Sequence, residues 1–547
     1  MKKRSFKRWI SLLLAVAMLV VCLSGCHLLE PEELQPMSFA YTLVEQDTQD
    51  ALDLADEVDA CIDGKKFFKL FSALNKLMDK RDYIYHQYLV AQVKYYADLE
   101  DGEAYEMYVA GEEAYMQVQE ASLNVMKKLY KSDLLAKKLV FAGWTEAQTM
   151  RLEASGGEAL ALEQEQNELV REYLSLDEPG SAAWSDDVAD IYYTFVDRGR
   201  QLAKIYGYDN YYAYAAAELY MRTYTKEQRE AVRQNVKDTL LPFYREVSER
   251  YQQQLDRLTD EQREQLTALR QDTCLPTNEY LTGYIGSYPE AMQTVMNHLF
   301  DRDALVYTES EHAHSVAYTQ YSDYAEQPYV FLGNGVQDLL TLVHEQGHYT
   351  AYYHFSDADL PYDTAEVHSQ GNEWLMMQYL DGKLDEDVYE AFLLRRLRNG
   401  LDVIILSTVV DEFEETVYTA EQAVRPEDYR TVLNTVLDGY DGVEALGDRD
   451  ELYVYTQYVT IESPVYYLSY ATSELAAMSF YTLAEEKGYA AAQDVYVDLC
   501  METPTGATFF ETLSDVGLPN PFEADTVTRL VDAFASVTEE NVMAAAA

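Results

Sequence analysis

Pro328-Tyr-Val-Phe-Leu-Gly-Asn-Gly-Val-Gln-Asp-Leu-Leu-Thr-Leu-Val-His344-Glu-Gln-Gly-His348 reads as a short strand, a glycine break and a helix carrying two histidines. Apolar residues at 339, 340, 342 and 343 recur at helical spacing and leave His344 and His348 on a neighbouring face. Histidines four residues apart project from one side of a helix and make half a zinc site. Glu345 stands where a zinc peptidase keeps the general base that takes a proton from the attacking water. The pattern implies hydrolysis of peptide bonds. The strand beside such a helix is expected to hold an extended peptide by its backbone.

A third ligand decides the subclass, and two residues compete for the role. His354 lies ten residues after His344, as in the metzincin spacing HExxHxxGxxH, but Ala351 stands where that spacing has glycine. At about 100° per residue an unbroken helix carries His354 away from the other two histidines. Glu366 is the stronger candidate. Pro361 and Asp363 mark a turn, after which Glu366, Ser369, Gln370 and Glu373 share one helical face. A carboxylate there completes a His-His-Glu set with the fourth position open for water, and Glu373 is placed to orient a ligand by a hydrogen bond.

His344-Glu-Gln-Gly-His348 followed by Glu366-Val-His-Ser369-Gln-Gly-Asn-Glu373 resembles the thimet oligopeptidase and oligoendopeptidase F family of zinc peptidases. Gly335-Val-Gln-Asp338-Leu-Leu-Thr-Leu-Val resembles that family's run into the zinc helix, and Asp338 is taken with Glu373 as a support of the ligands. Val410-Asp-Glu-Phe413-Glu-Glu-Thr-Val-Tyr418 resembles a later segment of its bacterial branch, and Glu462-Ser-Pro464-Val-Tyr466-Tyr467-Leu-Ser-Tyr470-Ala its tyrosine-rich strip facing the metal. The likeness runs over roughly residues 200 to 540. It implies a mainly α, two-lobed, zincin-like metallopeptidase with a deep central channel that admits short peptides, a small β element near the zinc helix, and one Zn2+ per chain.

With 48 tyrosines in the chain, a cluster of three is ordinary packing material. Opposite a metal, however, a phenol can donate to the oxyanion formed as water attacks a carbonyl, a role expected of at least one of Tyr466, Tyr467 and Tyr470. The chain departs from the family in one respect here. Members carry a histidine shortly before the strip, whereas this sequence has none after His368, and Val459 stands at the matching position. The interval between His348 and Glu366 is also shorter than in better-known members, which implies a trimmed connection.

The remainder of the chain reads as helix. From about 40 to 175 charged and apolar residues alternate at helical intervals with few Gly or Pro, and Leu176-Asp-Glu-Pro-Gly-Ser-Ala-Ala-Trp-Ser-Asp186 is the clearest loop. The expected division is a leader at 1–25, a tether at 26–40, an N-terminal helical lobe at 41–185 and a helical catalytic region at 186–547. Lys2, Lys3, Arg4, Lys7 and Arg8 flank or precede an apolar run from Trp9 to Leu23 that suits a signal peptide. Leu23-Ser-Gly-Cys26 resembles a bacterial lipobox, which implies acylation of Cys26 and attachment to the outer face of a bacterial cell membrane. Ordinary secretory cleavage and an uncleaved anchor are the alternatives, and all three export the chain. Cys61, Cys274 and Cys500 are too scattered for a disulfide scaffold or a cysteine metal site.

Acids outnumber bases by 95 to 42, a net charge of −53. Removing residues 1–25, which hold five cations and no acid, leaves 37 against 95, or −58. Such a surface repels nucleic acid and anionic lipid, so membrane attachment would come from the lipid rather than from charge. The expected function is zinc-dependent cleavage of short peptides outside the cytoplasm. A metzincin-like secreted protease using His354 and a non-catalytic peptide-binding lipoprotein are the alternatives.

Overall fold

The computed structural model describes residues 35–142, 144, 146–270, 278–355, 360–503 and 506–544. The expected leader, Cys26 and Cys274 lie outside them. The chain is mainly helical with one three-stranded sheet. Its long helices are α1 (Glu45–Asp63), α2 (Phe67–Ala97), α3 (Gly102–Lys131), α4 (Glu158–Leu174), α5 (Ala182–Ile205), α6 (Leu241–Arg257), α7 (Leu339–His354), α8 (Tyr362–Leu380), α9 (Glu386–Thr419), α10 (Arg449–Glu462), α11 (Leu468–Lys487), α12 (Tyr489–Glu502) and α13 (Ala524–Ala544). Among the described residues no helix is long and apolar enough to cross a membrane.

Helices α1 to α3 enclose their own apolar cluster, built on residues such as Val58, Leu77, Val118 and Leu129. The second half of α2 turns to the main core, where Leu89 and Val93 join Tyr173, Trp184 and Val188. The loop at 176–181 ends at Ser181, whose hydroxyl accepts the N–H of Trp184 and starts α5. That helix crosses the 185/186 boundary. Residues 35–39, assigned from sequence to the tether, pack on the sheet. Met37 is buried and donates its N–H to the Arg302 carbonyl at 2.7 Å, while the Phe39 ring meets Tyr329 edge-on at 5.4 Å. These two apolar side chains tie the segment to the body of the protein, while residues 35, 36 and 38 stay exposed.

The sheet has the order β1-β3-β2, with β1 (Leu305–Tyr307) parallel and β2 (Ala317–Ser322) antiparallel to β3 (Gln327–Leu332). All six residues of β3 are buried. Its rich content of aromatic and β-branched residues fits a strand covered on both faces. This corrects the expectation that residues 328–332 hold a substrate. As the middle strand, β3 is paired along its whole length with β2 and over residues 330–332 with β1, and β2 is the edge strand that reaches α7. Gly335, at φ +78°, provides the left-handed turn that leads from β3 towards α7.

Helix α8 packs along α7, α11 and α12. Residues 363–372 are buried in an unbroken run, although many are polar. Their hydrogen bonds are made inside the protein: Asn372 Nδ2 donates to the Val343 carbonyl at 2.7 Å, and Tyr496 Oη donates to the His368 carbonyl at 2.8 Å.

Candidate active site

Asp338 caps α7, accepting the N–H groups of Leu340 and Thr341 at 3.0 and 3.2 Å and the Thr341 hydroxyl at 3.0 Å. It therefore fixes the start of the helix and does not touch a ligand residue. Two turns on, Gly347 meets α8. A Cβ there would stand 2.5 Å from the His368 carbonyl oxygen and 2.7 Å from Ser369 Cα. Only glycine permits this approach, and the approach carries Glu366 to the histidines. Glu366 Oε2 lies 3.5 Å from His344 Nε2 and 3.4 Å from His348 Nε2. Potential ligand atoms of the three residues all fall within 4.8 Å of one another.

The surroundings orient this set. His344 Nδ1 is 2.8 Å from Glu373 Oε1, so a proton on Nδ1 leaves the Nε2 lone pair facing Glu366. Glu373 is ion-paired with Arg396 at 2.8 Å, and Arg396 reaches both oxygens of Glu474 at 2.8 and 2.9 Å. Trp374 Nε1 donates to Glu474 at 3.0 Å. Burial opposes a charged His344, but the Glu373 hydrogen bond and the nearby carboxylates outweigh it and hold the pKa at about 9. Burial likewise opposes a charged Glu366, yet the two histidines and the Tyr466 hydroxyl bring it down to about 2. Two imidazole nitrogens and a buried carboxylate, converging and favouring positive charge between them, form a donor set that fits zinc.

Glu345 is buried beside this set. Thr319 of β2 donates its hydroxyl to Glu345 Oε2 at 2.7 Å, and the same Oγ1 lies 3.0 Å from the Glu345 carbonyl. Burial raises the Glu345 pKa, with the charges of His344 and His348 and the Thr319 hydrogen bond pulling against that rise. A carboxylate held in this way keeps one orientation beside the cavity. Thr319→Val is expected to lower kcat for peptide cleavage about five- to tenfold with little change in KM, the loss of one hydrogen bond to a charged group. An unchanged kcat would show that Thr319 does not position the base.

A cavity of about 510 Å³ opens onto His344 and Glu345 and is also lined by Glu373, Tyr455, Tyr467 and Tyr470. The three candidate tyrosines are thus divided. Tyr467 and Tyr470 face the cavity, whereas Tyr466 donates its hydroxyl to Glu366 Oε1. Val459, on α10, is buried. His354 ends α7, which runs without interruption through Ala351, so it stays exposed and outside the cluster.

The turn carrying the tyrosines is held under strain. Val465, a β-branched residue, sits at φ +63°, a conformation that costs of order 1–3 kcal/mol. Tyr220 Oη donates to the Pro464 carbonyl at 2.6 Å, and Arg222 donates to the carbonyls of Val465 and Tyr466 at 2.7 Å each and to Ser469 Oγ at 2.8 Å. Glu414 accepts the Val465 N–H at 2.8 Å. Arg222 also lies 3.8 Å from buried Asp363, one turn before Glu366. One guanidinium therefore joins the tyrosine turn to the helix that carries Glu366. Arg222→Met is expected to destabilise the protein by about 3 kcal/mol, because it strips the counter-charge from Asp363 and orphans three acceptors. A urea midpoint equal to that of the unaltered protein would overturn this.

The motif-based reading named His344, Glu345, His348, Glu366 and Glu373, which the structure brings together. It missed Thr319, Tyr220, Arg222, Arg396, Glu414 and Glu474, which come from five separate places in the chain and carry no spacing signal.

No family model matches the sequence. Over 217 residues the chain is 27% identical to oligopeptidase PepF of Bacillus subtilis (strain 168), a match covering 37% of this chain. The chain matches about a third, 32%, of the length of that curated relative. Among solved structures, a provisionally named oligoendopeptidase F from Bacillus anthracis strain Ames superposes with a TM-score of 0.68 at 17% identity, covering 93% of this chain and 99% of that one. PZ peptidase A with inhibitor 2 gives 0.67 at 16%, covering 92% and 98%. Oligoendopeptidase-F from Enterococcus faecium gives 0.59 at 14%, covering 90% and 96%. The chain has the fold of the oligoendopeptidase F structures, and its sequence is similar to an oligopeptidase.

Proposed function

We propose that this chain is a zinc-dependent oligoendopeptidase that hydrolyses short peptides outside the cytoplasm, held at a membrane by a lipid on Cys26. The observation that carries the reading is the convergence of His344, His348 and Glu366 beside a buried Glu345 on one cavity. His344, His348 and Glu366 would hold the zinc, which when bound supplies Lewis-acid activation of water and of the scissile carbonyl. Glu345 takes a proton from the attacking water and returns it to the leaving amine. The Tyr467 and Tyr470 hydroxyls face the cavity and are available to the developing oxyanion, while Tyr466 steadies Glu366. Among the described residues lining the cavity, His344 is the sole histidine, so the tyrosines replace the histidine absent from position 459. The cavity has room for a segment of extended peptide, and the preference for short substrates follows from the likeness to the oligoendopeptidase F structures.

The test is incubation of the zinc-loaded protein with a diverse pool of short peptides, read by mass spectrometry. Internal cleavage that a chelator abolishes and zinc restores is expected, and an intact pool would leave the peptide-binding alternative in its place. For the anchor, Cys26→Ala is expected to move the protein from the membrane fraction to the medium or periplasm; an unchanged distribution would remove the lipid from the proposal.

A further inference from the structure

Helix α9 contributes Phe392, Arg395, Arg396, Asn399, Val403 and Ser407 to the cavity wall, at spacings of three and four that form one helical face. The two arginines differ in their commitments. Arg396 is fully engaged by Glu373 and Glu474. Arg395 is half-buried, and among the described residues it has no carboxylate within ion-pair distance and no hydrogen-bond acceptor. The acids of the same cavity are already occupied: Asp338 by the N-terminus of α7, Glu345 by Thr319, and Glu373 and Glu474 by Arg396. Burial and the charge of Arg270 lower the Arg395 pKa, with Tyr251 and Asp338 pulling against them.

This is an unexpected place to leave a cation uncompensated. Acids outnumber bases by more than two to one in the chain, so a counter-ion would be easily found if the guanidinium served structure alone. A partly desolvated guanidinium without a partner is unfavourable until a ligand supplies one. Its planar fork matches a carboxylate, and Asn399, one turn further along the same face, adds an amide donor. We propose that Arg395, with Asn399 beside it, forms a subsite for a carboxylate of the peptide substrate. This rests on the peptidase reading above. The carboxylate is either the C-terminus of a short peptide or the side chain of an acidic residue. Arg395 and His344 line the same cavity, so the recognised charge lies in the compartment that holds the cleaved bond.

The experiment compares one neutral octapeptide with a free C-terminus, its amide, and amides in which single glutamines are replaced in turn by glutamate. The zinc-loaded protein is expected to favour the acid over its neutral counterpart about tenfold to a hundredfold in kcat/KM, for the free terminus or for one glutamate position. The two arms identify the source. In Arg395→Gln the ratio is expected to fall to about one, and in Arg395→Lys to survive in part. Calorimetric binding of the same peptides to zinc-loaded Glu345→Gln separates this inference from the one beneath it. Preferential binding of acids without any cleavage by the unaltered protein would sink the peptidase reading and keep the subsite. Equal binding of acid and neutral forms, or a preference that persists in Arg395→Gln, would overturn the subsite.

Discussion

Glu345→Gln is expected to lower peptide cleavage by about 10⁴-fold while leaving fold and metal content intact. Glutamine keeps the shape of the side chain, and its carbonyl oxygen can still accept the Thr319 hydroxyl that now reaches Glu345 Oε2 at 2.7 Å. What it loses is basicity. Burial has raised the pKa of the native carboxyl, so it is a better proton acceptor than an exposed glutamate and is ready to release that proton to an amine. The measurement is single-turnover cleavage of a peptide identified in the pool assay, with zinc quantified by atomic absorption in the same samples. Cleavage within tenfold of the unaltered protein would remove Glu345 from the chemistry. Loss of zinc together with activity would assign it to the metal site instead.

Glu366→Ala is expected to weaken zinc binding by on the order of a thousandfold, and His354→Ala to leave it unchanged. Removing one of three protein ligands forfeits about a third of a binding energy near 12 kcal/mol, or about 4 kcal/mol. Glu366 is buried between two imidazoles that hold its pKa down to about 2, so its charge is committed to this cluster. His354, at the exposed end of α7, meets none of these groups. Competition with a chromophoric chelator gives the affinities. Thermal denaturation provides a second readout: a chelator should lower the Tm of the unaltered protein and of the His354 variant but not that of the Glu366 variant. Retained zinc in Glu366→Ala would exclude the His-His-Glu assignment, and loss of zinc in His354→Ala would reinstate the metzincin-like alternative.

Much of the site was legible because its chemistry depends on local periodicity. Histidines four apart fall on one side of a helix whatever surrounds it, and the same geometry relates Glu366 to Glu373. Gly347 carries a subtler message. Its role in bringing α7 against α8 becomes visible only when the His368 carbonyl is found 2.5 Å from where a Cβ would stand. Residues 328–332 were recognisable as a strand, but strand order was not encoded in them. Their place as the middle strand results from pairing with residues 305–307 on one side and 317–322 on the other.

The amino-acid pattern by itself determined a mainly helical chain, His344, His348 and Glu366 as a candidate metal-binding set, and Glu345 as the candidate base. These follow from helical repeat and side-chain chemistry, both of which act over a few residues. Tertiary structure alone decided that Thr319 holds Glu345, that Arg396 and Glu474 stand behind Glu373, that Arg222 clamps the strained turn at Val465, and that Arg395 lines the cavity with no carboxylate among the described residues at ion-pair distance. Each of these depends on contacts between segments far apart in the chain. Such contacts form only when burial of apolar surface packs the helices together, and nothing in the local sequence records which distant charge or carbonyl they will meet.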